Sequence, residues 1–237
     1  RRGAHSGRNR DSGAHRKRVR EIDRILIGDG SQDPDPAQAA QLYREAAADG
    51  SGEAAARSAM LAAVGVGRMQ DWSEALDMLL LAVELGDRDA RRQLALLAGR
   101  AEERLASGHA TSAALWRRVR ESIDIEALLS PPPIRWVSMQ PRIGVIKGFA
   151  SPGAAQWLIR RAGDLLEPGQ VNDALTGEVR HHAMRTAMSA AFTVLRRDLV
   201  VALIQARAAR ATGLEVAQHE PPNVISYEPG QQFEPHF

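Results

Sequence analysis

The chain of 237 residues contains no cysteine. That removes disulfides, thiolate-held zinc and iron–sulfur centres, so any bound metal must rest on imidazole and carboxylate. It also fits a reducing compartment, and the expected location is the cytoplasm of a bacterium. No apolar run approaches the roughly 18 residues that cross a bilayer. The longest tract, Leu76 to Leu85, is interrupted by Asp77 and Glu84, so no membrane partner is expected. The N-terminus carries no starting Met, no secretory apolar core and no cleavage site. Walker loops and GxSxG elbows are missing, and Gly65-Val66-Gly67 lacks the third glycine of a dinucleotide fingerprint. Hydrolase and nucleotide-binding functions therefore have no support. The aspartates between Gly28 and Pro36 have no closing glutamate and are interrupted by proline, which makes that stretch a linker rather than a calcium loop.

Hydrophobic residues make up 44% and charged residues 25%, the balance of an ordinary folded protein, and the length suits one large domain or two modest ones. Residues 1–20 hold eight of the 31 basic side chains and one of the 29 acidic ones, so the rest of the chain carries 23 against 28. The body is mildly acidic, and the basic surplus belongs to an Arg/Gly/Ser/His run without aromatics. Residues 1–20 are therefore expected to form a disordered extension, and no nucleic-acid partner is expected.

Helical spacing begins with Val19, Ile22, Ile25 and Leu26 and is stopped by Gly28-Asp29-Gly30. Then Ala39, Ala46, Gly50, Ala54 and Leu61 recur as Ala75, Ala82, Gly86, Ala90 and Leu97, each 36 residues later. A period in the thirties with alanine at contact positions predicts paired-helix repeats over 21–125. The units "AAQLYREAAADGSGEAA" and "EALDMLLLAVELGDRDA" resemble Sel1-like repeats, relatives of the tetratricopeptide type. A helix from about Ala110 to Glu121, with Leu115, Trp116 and Val119, is expected to cap them, and a protein partner is expected on their concave surface. Pro131-Pro132-Pro133 centres a Pro-rich linker over 126–140. Beyond it, in 141–237, the texture is α+β: a strand at Arg142–Ile146, a helix opened by Ser151-Pro152, a helix from Asp198 to Ala211 closed by Gly213, and a strand at Asn223–Tyr227.

The segment from Tyr227 to Phe237, "YEPGQQFEPHF", carries the chemistry. Pro229-Gly230 suits the two central positions of a type II turn between extended arms. On the second arm side chains alternate, so His236 and the residue two places on would share a face. Non-haem iron oxygenases exploit this spacing in HxD, which with a distant His forms the 2-His-1-carboxylate triad. His109, His181, His182 and His219 lack partners at ligand spacing and are expected in solvent.

Four segments in order, "PRIGVIKGFAS", "RTAM", "RRDLVVALIQARAARATGL" and "EPPNVISYEPGQQFEPHF", make 141–237 similar to the N-terminal part of the prolyl 4-hydroxylase α-subunit-like, Fe(II)- and 2-oxoglutarate-dependent oxygenases. The fold so implied is an α-helical repeat module followed by an α+β N-terminal portion of a double-stranded β-helix (jelly-roll) domain, truncated, with the remaining iron ligands past Phe237. The resemblance implies His236 as first iron ligand and Tyr227 beside the 2-oxoglutarate pocket. It places Arg185 and Glu220 along a peptide groove, with ascorbate as a further candidate cofactor. Read from the residues alone, Tyr227 and Phe233 also suit core aromatics, and Arg185 and Glu220 a structural ion pair. Ala187 stands where the family often has Ser, and Phe233 where it has an aromatic hydroxyl. The expected function is hydroxylation of a protein or peptide, plausibly at proline. The alternative is a repeat scaffold with a non-catalytic oxygenase-like half. By itself the chain is expected to be inactive.

Overall fold

The computed structural model describes the backbone of residues 4–100, 113–172, 179–181 and 187–232. Helices α2 (Pro36–Ala48) and α3 (Gly52–Val64) form one antiparallel hairpin, and α4 (Trp72–Glu84) and α5 (Arg88–Leu97) a second. Each begins on a side chain that accepts a hydrogen bond from the backbone amide three residues on: Asp35 from Gln38, Ser51 from Ala54, Asp71 from Glu74 and Asp87 from Ala90. Such a cap contributes about 1 kcal/mol. Asp35 and Asp71, and Ser51 and Asp87, are both 36 residues apart, so the spacing in the sequence is also the spacing of the helix starts. Ala39, Ala46, Ala54, Ala75, Ala82 and Ala90 are all 0–1% exposed, where their small side chains let the helices close on one another. Gly67, in the loop between the hairpins, has φ +69°, and a Cβ there would lie 2.0 Å from the Pro36 carbonyl oxygen. Only glycine permits that approach.

The first helix, α1, runs Ala4–Ile27, so the disordered extension expected over residues 1–20 is corrected for those it covers. Val19, Ile22 and Leu26 are 0–4% exposed, packed on α2 and α3, and Arg18 pairs with Asp49. Once those turns are anchored, further helical residues add at little cost, since nucleation is the expensive step. At the other end α6 (Ala113–Glu121) caps the second hairpin. Its Trp116 and Val119 are buried, while Arg117 reaches Glu84 at 3.1 Å and Arg120 reaches Asp77 at 2.7 Å.

The stretch 126–140 is not a bare linker. Most of α7 (Ile125–Leu129) lies in it, with Asp124 as N-cap, and so does strand β1 (Arg135–Met139), which pairs antiparallel with β2 (Arg142–Val145). Between them, Ser130 to Ile134 is neither helix nor strand. Next come α8 (Pro152–Gly163), capped by Ser151, and β3 (Glu167–Pro168). Strands β4 (Gln170–Asn172) and β5 (Val179–His181) pair with each other, so His181 stands on a strand. β6 (Met188–Ala191), α9 (Leu199–Thr212), a 3₁₀ turn (Val216–Gln218) and β7 (Asn223–Ser226) complete the order. Strand β6 lies between β3 and β7, antiparallel to both. The described strands form three separate small sheets of two, three and two strands, and no closed jelly roll.

Packing ignores the division seen in the sequence. One apolar core runs from Val19 of α1 through both hairpins to Leu199, Val200, Ala202, Leu203 and Ala206 of α9. Polar side chains fix the same junction. The buried Asp198 caps α9 by accepting from the Val201 amide at 3.0 Å, and it accepts from Trp157 Nε1 of α8 at 2.9 Å. Arg161 Nε lies 3.1 Å from the same carboxylate, as an ion pair without hydrogen-bond alignment. From the helical half, Gln93 of α5 accepts the Leu199 amide at 3.0 Å, and Arg57 of α3 donates to the Leu195 carbonyl.

Candidate functional site

The β6–β7 pair has a covered face and an open one. Ala190 and Val224, directly opposed, pack with Phe192, Ala162 and Val201 under α8 and α9. Because side chains alternate, the opposite face carries Ser189, Asn223 and Ile225. Ile225 is 45% exposed, and Tyr227, which follows the strand, is 46% exposed. Ser189 Oγ donates to Asn223 Oδ1 at 3.0 Å across the pair. That contact was not singled out from the sequence, where neither residue sits in a motif.

The expected turn is formed. Gln231 N–H donates to the Glu228 carbonyl at 2.9 Å, and Gly230 has φ +90° at the position where a type II turn requires it. A second contact closes it, the Glu228 amide donating to Gln231 Oε1 at 2.8 Å. Strand β7 thus enters a turn clamped by backbone and side chain, and the turn directs the chain toward the segment that contains His236.

Of the four site residues expected from the sequence, Tyr227 and Glu220 lie on described structure. Both are exposed: Tyr227 at the end of β7, Glu220 in the connector between the 3₁₀ turn and β7. An exposed Tyr227 is not a core aromatic. His236 and Arg185 lie outside the described residues, as do Phe233, His109 and His182. His219 is half-buried, with Nε2 3.4 Å from Thr212 Oγ1, rather than free in solvent. Ala187 is fully buried. Among the described residues no group of three His, Asp or Glu side chains could hold a metal. They do not build an iron site, and its expected first ligand lies beyond them.

Comparison with known proteins adds a separate line of support. The probable prolyl 4-hydroxylase 7 of Arabidopsis thaliana is 33% identical over 107 residues, 45% of this chain and 34% of that protein. Part of this chain is prolyl-4-hydroxylase-like. The probable prolyl 4-hydroxylase 6 of the same plant is 34% identical over 110 residues, 46% of this chain and 38% of its own length. Prolyl 4-hydroxylase 2 is 30% identical over 111 residues, 47% and 37%. The chain therefore spans little more than a third of the length of these prolyl 4-hydroxylases. No protein-family model matches the chain, and no solved structure matches it significantly. The described architecture, helices with small antiparallel sheets, is compatible with part of a prolyl-4-hydroxylase-like domain.

Proposed function

We propose that the protein from which this chain comes is an Fe(II)- and 2-oxoglutarate-dependent dioxygenase that hydroxylates a protein or peptide, at proline. The carrying observation is the similarity to several prolyl 4-hydroxylases over just over a hundred residues. It is supported by the turn at Glu228–Gln231, whose geometry suits the arm that would present His236. When bound, iron with 2-oxoglutarate and dioxygen supplies the oxidising chemistry.

The chain's own residues would do geometric work. His236 would hold the metal, Tyr227 would line the cosubstrate pocket from the open face of β7, and Arg185 and Glu220 would contact the substrate backbone. Ascorbate is proposed as an auxiliary cofactor. The hairpins α2–α5 are proposed to be Sel1-like repeats that recruit a protein partner, and the jelly roll to be the fold that β1–β7 belong to. A cytoplasmic location accompanies this reading.

The test is succinate release from 2-oxoglutarate by the full-length protein with Fe(II) and a proline-containing peptide. The His236→Ala variant is expected to lose at least about a hundredfold in rate, since a ligand of the reacting metal is removed. Equal turnover by the variant would defeat the assignment of His236. No succinate from the unaltered protein would favour the scaffold reading instead.

A further inference from the structure

The seam between the helical hairpins and α8 holds a cleft that the oxygenase reading does not use. Its volume is about 390 Å³, and its walls come from α5 (Asp89, Arg92), α8 with its C-cap (Arg160, Arg161, Asp164) and the segment before α9 (Leu195, Arg196). Four arginines face two aspartates there. The charges are unevenly satisfied. Arg92 lies 3.2 Å from Asp89, and Arg161 is directed to the buried Asp198. Arg160 stacks on the Trp157 ring at 4.3 Å, which orients its guanidinium without neutralising it. Arg196 gives its backbone carbonyl to Arg161 at 3.4 Å, and no carboxylate meets its guanidinium among the described residues. Arg160 likewise has no carboxylate partner among them. Two cations thus border one concave surface, neither with a carboxylate partner among the described residues.

We propose that this cleft docks an acidic peptide segment of a protein partner, whose carboxylates pair with Arg160 and Arg196. Guanidinium forks match carboxylates two bonds at a time, and such pairs are the strong class of charged hydrogen bond. Size argues against a lone small anion. A cleft of about 390 Å³ has room for more than one side chain. Chemistry argues against nucleic acid. No aromatic side chain lines the cleft, and the ring beneath Arg160, Trp157, is 5% exposed and offers no face for a base. The site draws on both halves of the chain and does not depend on the assignment of His236.

The experiment is fluorescence-anisotropy binding of a labelled hexaglutamate peptide to the full chain, with hexaglutamine, inorganic phosphate and a single-stranded oligonucleotide as comparison probes. Saturable binding of hexaglutamate is expected, absent for hexaglutamine and weakened about tenfold by raising salt from about 50 to 200 mM, because the contacts are ionic. The Arg160→Gln/Arg196→Gln double variant, checked for folding by circular dichroism, is expected to bind about tenfold more weakly. A variant with Arg1, Arg2, Arg8 and Arg10 changed to Gln is expected to bind as the unaltered chain does. Unchanged affinity in the Arg160/Arg196 variant, or loss in the N-terminal variant, would overturn the proposal. So would competition by phosphate at concentrations equal to the peptide's, or tighter binding of the oligonucleotide through the same arginines.

Discussion

Asp198 shows how much one residue decides. Burial pushes its carboxyl above the ordinary aspartate value of 3.8, outweighing the amide of Val201, Arg161 and the Trp157 indole, which all favour the charged form. A raised folded-state pKa means that the native state holds its proton to higher pH than the unfolded chain does. Its contribution to stability therefore declines as pH rises above the unfolded value. An asparagine side chain in its place would keep an acceptor for the α9 cap but could not ionise. The Asp198→Asn variant is thus expected to gain on the unaltered chain between about pH 4 and pH 7. Urea unfolding of both proteins at the two pH values measures it. A stability difference that does not move with pH would show that Asp198 ionises in the folded state as easily as in the unfolded one. Nothing in the sequence around Asp198 marks it as more than a helix cap, because the indole and guanidinium that bury it are about 40 residues away.

At the scale of elements, the two hairpins test the equivalence that their spacing implies. Gly50 and Gly86 turn the chain after α2 and α4 with φ of +97° and +91°. A Cβ at Gly50 would meet only the His15 ring at 3.8 Å, and one at Gly86 would meet nothing. Backbone strain is then the main cost, so Gly50→Ala and Gly86→Ala are each expected to destabilise by about 1 kcal/mol. Urea midpoints of the two variants should shift together; a shift in one alone would break the equivalence. These elements were legible because their signals are local: a cap residue, an apolar spacing and a glycine at the stop. The same holds for α9, expected from Asp198 to Ala211 and found at Leu199–Thr212. Strand β1 was not legible. Its burial does not alternate, Trp136, Val137 and Met139 all being exposed, so it carries no period-two pattern to read.

For the whole molecule, the continuous core makes a prediction that a two-module layout would not. Leu199, Val200, Leu203 and Ala206 are buried in the same cluster as the hairpin residues, and Gln93 and Arg57 add polar bonds across the junction. Unfolding is expected as one transition, with tryptophan fluorescence, which includes Trp157 at the seam, coinciding with helix content followed by circular dichroism. Two separated transitions would show that the halves are independent domains. The cleft proposed to dock acidic peptide belongs to this scale too, since its walls exist only when the halves are joined.

By itself the sequence determined the helix pairs and their period, the turn at Pro229-Gly230, and the kinship of part of the chain with prolyl 4-hydroxylases. Each rests on residues that act within one or two turns or within one contiguous motif. The tertiary structure decided the rest. It carried α1 back to Ala4, placed α7 and β1 where a linker was expected, exposed Tyr227 and Glu220, and fused the helical hairpins to the second half through Asp198, Gln93 and Arg57. Those outcomes depend on contacts between residues tens to more than a hundred positions apart, and no local pattern encodes which distant surface will cover a given side chain.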